Sequence, residues 1–115
     1  MAVLVLQEFE MRGHIEDTQM SGKELERYSK QILVKNIGGV GQKKLKSSKV
    51  LVIGLGGLGS PVVTHLSSSG IGKIGLVDND KVDLSNLQRQ FIHSVDTVGL
   101  NKTESAKIFT NRLNP

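Results

Sequence analysis

No cysteine occurs among the 115 residues, which removes disulfides, thiolate zinc sites and a cysteine nucleophile from the chain. A reduced, cytoplasmic setting agrees with that absence but is not required by it. Tryptophan is missing too, and three Phe and one Tyr are the whole aromatic complement. The core must therefore be Val, Ile and Leu, and no aromatic platform exists on which nucleic-acid bases would stack. The formal charge of +4 and the isoelectric point near 9.5 are modestly basic. Because the cations are spread along the chain, nothing singles out a nucleic-acid partner. Long apolar runs are absent as well: no stretch approaches the ~18 residues of a membrane span. Met1–Leu6 is short, with no cationic segment before it and no small-residue cleavage site after it, unlike a secretory leader. The expectation is one soluble, cytoplasmic domain at most. Glycine, by contrast, is plentiful: thirteen residues, most of them between Gly38 and Gly75.

The chain is organised around Lys49–Gly59, K-V-L-V-I-G-L-G-G-L-G. Val50 to Ile53 form a short continuous apolar run rich in β-branched residues, the pattern of a strand buried on both faces. Gly54, Gly56, Gly57 and Gly59 follow at once, then Ser60 and Pro61 as an expected N-cap and first helical residue. Strand, glycine turn and helix start give a G-x-G-x-x-G match its structural context. Gly54 turns tightly, Gly56 and Gly57 let a phosphate approach the backbone, and Gly59 seats the helix on the strand. The helix terminus then offers free N–H groups and partial positive charge to an anion.

Residues 1–20 read as a poorly patterned arm, with Ala2–Leu6 a candidate short strand and Glu10–Asp17 polar and mixed. Residues 21–115 read as the nucleotide-binding unit. Ser21 and Glu24 form a capping box, after which Leu25, Tyr28, Ile32 and Leu33 fall on one helical face. Arg27 and Lys30 lie towards the other side, as on a solvated face. Gly38-Gly39 is expected to break this helix, and Gly41–Ser48 to form a short basic helical turn anchored by Leu45. Beyond the glycine turn, Pro61–Ser69 reads as a helix covering the sheet with Val62, Val63 and Leu66, ended by Gly70. Lys73–Asp78 is the second strand of a βαβ unit of about 30 residues.

Asp78 ends that strand, where an acidic residue accepts hydrogen bonds from ribose hydroxyls in nucleotide sites of this topology. Asp80 and Asp83 read mainly as turn residues, with Asp80 placed to help hold a metal; no metal-ligand set stands out. Ser85, Asn86, Gln88 and Arg89 follow as a polar cluster. Lys102 then opens a helix, Lys102–Leu113, with Ala106, Phe109 and Leu113 on one face. A triphosphate carries more charge than a dinucleotide's pyrophosphate, so the two extra cations favour ATP over NAD. Arg89 can grip phosphate oxygens bidentately, and Lys102 supplies a point charge. His93 reads as a hydrogen-bonded structural imidazole rather than a proton shuttle, and His14 and His65 belong to no constellation.

Five motifs occur in order: R-Y-S-K-Q at Arg27–Gln31, G-L-G-G-L-G at Gly54–Gly59, D-N-D at Asp78–Asp80, S-N-L-Q-R-Q at Ser85–Gln90 and V-G-x-x-K ending at Lys102. In this the chain resembles the ThiF/MoeB/ubiquitin-activating family, which adenylates the C-terminal glycine of ubiquitin-like proteins or sulfur carriers. The resemblance covers about Ser21 to Pro115. It implies a Rossmann-like α/β fold, a doubly wound parallel sheet of which this is the N-terminal βαβ half with preceding helices. It implies Mg-ATP, with Gly57 at the phosphates and Asp78 at the ribose. Ser85, Asn86, Leu87, Gln88, Arg89 and Lys102 would line the triphosphate, with Arg89 and Lys102 as the catalytic cations. A ubiquitin-like sulfur carrier is the implied partner. So is a homodimer in which Lys30, where bacterial members usually have arginine, reaches the partner's ATP. Lysine keeps the charge there but loses the bidentate fork.

Family members are roughly twice as long or more, and this sequence stops at L-N-P before the third strand of the pattern. The family's C-x-x-C zinc motifs and its transfer cysteine fall outside it. Two other readings stand beside the enzyme: the NAD-binding half of an oxidoreductase, and a non-catalytic remnant pairing with a full-length relative.

Overall fold

The computed structural model describes residues 2–6 and 19–115, so the polar stretch Glu10–Asp17, with His14, lies outside the described residues. Strands β1 (Ala2–Leu6), β2 (Lys49–Ile53) and β3 (Lys73–Val77) form one sheet in that order. β2 and β3 run parallel, in register from Lys49 opposite Lys73 to Ile53 opposite Val77. Helix α4 (Gly59–Ser69) joins them, which makes the expected βαβ unit. The candidate strand at Ala2–Leu6 exists and lies antiparallel on the other edge of β2, Ala2 opposite Ile53.

α4 and α5 (Lys102–Leu113) cover one face of the sheet. Val50, Val52, Leu55, Val63, Ile92 and Ala106 form the core, with Val62, Leu66 and Phe109 packed against it. The periodicity of α4 is thus realised as expected, as is that of α5 at Ala106 and Phe109, while Leu113 is half-buried outside this cluster. Burial along β2 alternates, however: Val50 and Val52 are buried, Leu51 is half-buried and Ile53 is exposed. An unbroken apolar run signals two covered faces; here the described helices that pack on the sheet take the Val50 and Val52 side.

α1 (Gly22–Arg27) starts with the expected capping box: Glu24 N–H donates to Ser21 Oγ at 3.2 Å, and Ser21 N–H to Glu24 Oε1 at 3.3 Å. The helix is interrupted at Tyr28 before α2 (Ser29–Ile32), and of the anticipated apolar face only Tyr28 is buried, while Leu33 is 79% exposed. α3 runs Gly38–Ser47, so the glycine pair opens this helix rather than merely separating two. Its anchor is Gln42, not Leu45. The Gln42 amide is fully buried, donating to Ser69 O at 2.9 Å and accepting from Gln31 Nε2 at 2.6 Å. Both glutamines thereby satisfy a carbonyl in the last turn of α4, which a leucine could not do. Gly70 ends α4 at φ 94°, the left-handed cap anticipated for it.

Candidate functional site

The turn after β2 is held from three sides. Gly54 adopts φ 97°, open to glycine with little penalty. Leu55 buries its side chain completely, and its N–H donates to Asp78 Oδ2 at 2.8 Å. A Cβ on Gly59 would overlap the Gly54 carbonyl oxygen, so the close seating of helix on strand requires glycine there. α4 begins at Gly59, earlier than the expected Ser60 cap: Ser60 is already helical, and its N–H and Oγ both donate to Gly56 O, at 3.0 and 2.9 Å. The glycine turn curls into the first helical turn, which leaves Ser60 no capping role. Among the described residues, nothing accepts a hydrogen bond from the N–H groups of Gly56, Gly57 or Leu58. An 11-residue helix thus presents open backbone donors and the positive end of its dipole at the C-terminal edge of the sheet.

Asp78 stands beside this turn and is half-buried. Its two oxygens each accept one backbone N–H, from Leu55 and from Asp80, both at 2.8 Å. A carboxylate has about four acceptor positions, so the carboxylate holds the turn and keeps capacity for a hydroxyl.

Arg89 comes from the segment after β3. Asp83 caps a single 3-10 turn, Leu84–Asn86, by accepting from Ser85 N–H at 2.8 Å and Ser85 Oγ at 2.6 Å. The Ser85 hydroxyl holds the Asp83 carboxyl below the usual carboxylate range, with the Ser85 N–H acting in the same direction. The Asn86 carbonyl then receives Gln90 N–H at 3.0 Å, which folds the chain back over the glycine turn. The Arg89 stem lies across Gly57: a Cβ built on that glycine would sit 3.5 Å from Arg89 Cδ. The Gln88 amide fits with its oxygen accepting from Arg89 Nη1 at 2.8 Å, steadying the exposed guanidinium. Asn86 and Leu87 are half-buried in the same segment.

Lys102 opens α5, its N–H donating to Asp80 O at 3.0 Å. Its residue is only 6% exposed, and its ammonium faces Asp80 Oδ2 at 3.7 Å, an ion pair too long for a hydrogen bond. The Lys102 and Asp78 charges are both felt by His93. Gly54, Gly56, Gly57, Gly59, Asp78, Asp80, Ser85, Asn86, Leu87, Gln88, Arg89 and Lys102 thus gather at one end of the parallel strands.

Lys30 does not join them. Its neighbours in R-Y-S-K-Q are engaged at the far end of α4 and α5: Arg27 Nη1 donates to Leu113 O at 3.0 Å, Gln31 Nε2 to Ser69 O at 3.0 Å, and Tyr28 Oη accepts from Asn114 Nδ2 at 2.7 Å. α4 rises roughly 16 Å between its ends, and Lys30 is exposed at the end away from the glycines. A cavity of about 720 Å³ runs from Tyr28 and Gly70 at that end along β3 and α5 to Leu76 and Thr103, with none of the expected site residues in its wall.

Two side chains beside the turn were not expected there. Gln90 is buried with Nε2 3.6 Å from where a Gly56 Cβ would be, and its Oε1 has no partner among the described residues. It closes the same S-N-L-Q-R-Q run, which was the available signal. His93 is buried, with Nε2 3.0 Å from Leu55 O and Nδ1 2.7 Å from Ser105 Oγ. Both nitrogens are engaged, as a structural imidazole requires.

A parallel βαβ unit with open glycine-turn amides at the end of its strands defines a Rossmann-like α/β domain of the nucleotide-binding type. The family model for the ThiF family matches residues 28–115, and the chain belongs to that family. It is 51% identical over 100 residues to the adenylyltransferase and sulfurtransferase UBA4 of Debaryomyces hansenii, covering 86% of this chain and 22% of that protein. With the adenylyltransferase and sulfurtransferase MOCS3 of Drosophila sechellia it shares 44% over 108 residues, 94% of this chain and 24% of that one. Among solved structures, PaaA superposes with a TM-score of 0.78 at 39% identity, over 95% of this chain and 35% of its own. E. coli MccB with ATP superposes at 0.68 and 42%, over 76% and 27%. The chain therefore spans about a quarter of the length of the curated relatives it matches.

Proposed function

We propose that this chain is the ATP-binding part of an adenylyltransferase that activates the C-terminal glycine of a ubiquitin-like sulfur carrier. The observation that carries this reading is the Arg89 stem lying across Gly57, which brings a guanidinium to open turn amides at the end of the strands where Lys102 is buried. In the proposed reaction the carrier's terminal carboxylate oxygen bonds to the α-phosphorus of ATP, and the bond from that phosphorus to the bridging oxygen breaks. The products are an acyl-adenylate and pyrophosphate, which takes the bonding pair. This chain forms no covalent bond. Its amides and Arg89 fix the polyphosphate, while Arg89 and Lys102 offset the charge that develops on the leaving pyrophosphate. Asp78, already gripping the turn, would accept a ribose hydroxyl.

Magnesium has no resident cage in the described part. No group of three metal-ligating side chains exists among the described residues, and the Asp80 carboxylate is paired with Lys102. The described side chains therefore do not by themselves fit the ion, and no step here depends on it. We assign Lys30 a role across a homodimer, because it is exposed and lies at the wrong end of α4 to serve its own glycine turn. A cytoplasmic site of action agrees with a sulfur-carrier partner, and no described helix is long and apolar enough to cross a membrane.

Titration calorimetry of the 115-residue chain with ATP and with NAD tests the reading. ATP is expected to bind in preference, and Arg89→Ala to weaken it by about tenfold or more. A folded protein with no affinity for ATP, or one that prefers NAD, would refute it.

A further inference from the structure

We propose that His93 is a positioning residue: by holding the Leu55 carbonyl from inside the core, it aims the Gly56 N–H into the anion site. The proposal rests on the adenylyl-transfer reading for what that N–H binds, but the clamp itself does not.

The chemistry begins at Leu55 O, which carries no proton. His93 Nε2, 3.0 Å away, must therefore hold one. In the neutral ring Nδ1 is then an acceptor, so the Ser105 hydroxyl at 2.7 Å donates to it. Ser105 Oγ has a second neighbour, Thr97 Oγ1 at 2.8 Å, which itself receives Ser94 N–H and donates to Ser94 O, both at 3.0 Å. The Leu55 carbonyl, which can only accept, thus fixes the tautomer. A charged ring would turn the Ser105 proton to Thr97 Oγ1 and add a cation near Lys102. Burial above all, and then the Lys102 charge, push the His93 ring below its ordinary pKa, although the Leu55 bond and Asp78 pull the other way.

What the clamp does follows from peptide geometry. No described peptide bond is cis, so the C=O of Leu55 and the N–H of Gly56, which belong to one planar unit, point in opposite directions. With the carbonyl drawn into the core by His93, the Gly56 N–H faces outwards, and it has no acceptor among the described residues. The preceding unit is set the same way. Asp78 holds Leu55 N–H, and the Gly54 carbonyl is turned to the space that a Gly59 Cβ would fill. Two side chains from distant elements thus set consecutive peptide planes in a turn whose glycines would otherwise allow many.

The test uses His93→Gln, which keeps an N–H at the reach of Nε2, and His93→Leu, which fills similar space without a donor. Imidazole nitrogen NMR of the unaltered protein is expected to show the Nε2–H tautomer. The Gly56 amide resonance should move in His93→Leu and stay in His93→Gln. ATP affinity should fall by about tenfold in the first and remain within about threefold in the second. An Nδ1–H tautomer, an unmoved Gly56 resonance in His93→Leu, or equal ATP affinity in all three proteins overturns the proposal. Should His93→Leu not fold, Ser105→Ala replaces it, and the Gly56 resonance must still move. Should the unaltered protein bind no ATP, the adenylyl-transfer reading falls, and the NMR comparison alone decides whether His93 sets the turn.

Discussion

Replacing Lys102 by methionine separates binding from folding. The side chain is 8% exposed, and its one ion-pair partner among the described residues, Asp80 Oδ2 at 3.7 Å, belongs to a side chain that is 68% exposed. Dehydrating an ammonium costs about several kcal/mol, and a distant, hydrated partner returns only part of that. Lys102→Met keeps the buried stem, removes the charge and leaves Asp80 in water rather than stranded. Stability should therefore hold or rise, by about 1 kcal/mol, or up to roughly 5 °C in Tm for a domain of this size. Binding should move the other way. A charge-assisted hydrogen bond to phosphate contributes about 1.5–3 kcal/mol, so ATP affinity should fall roughly 10- to 150-fold. Urea or thermal unfolding beside titration calorimetry reads both quantities. Two results refute the reasoning: a Tm lowered by several degrees, which would make Lys102 a structural ion-pair partner, or unchanged ATP affinity.

Gly59→Ala forces a Cβ onto the Gly54 carbonyl oxygen and should cost about 1–3 kcal/mol of stability; an unchanged urea midpoint would show that helix and turn are not in tight contact. Acid should weaken the fold through His93. Its pKa is depressed in the folded state, so the unfolded chain binds the proton more readily, and stability is greatest above about pH 6.5. It should decline as the pH falls through that value towards the lower folded pKa, and His93→Gln should flatten that limb of a stability–pH curve. An equal slope in the variant would mean that other groups produce it.

The glycine turn, the βαβ order, the capping box and the limits of α5 were legible because each depends on neighbours a few residues away. Gly54 needs its positive φ whatever lies beyond, and Ser21 finds Glu24 within one turn. By itself the sequence determined the nucleotide-type turn and the residue types able to meet a polyphosphate. Tertiary structure decided what those residues do. Asp78 holds Leu55 N–H, His93 holds Leu55 O, Gln42 rather than Leu45 anchors α3, and Lys30 stands at the far end of α4. Each of these is a hydrogen bond or a separation between residues remote in the chain. No local periodicity encodes which carbonyl a buried polar group will find, because that depends on which elements are packed around it.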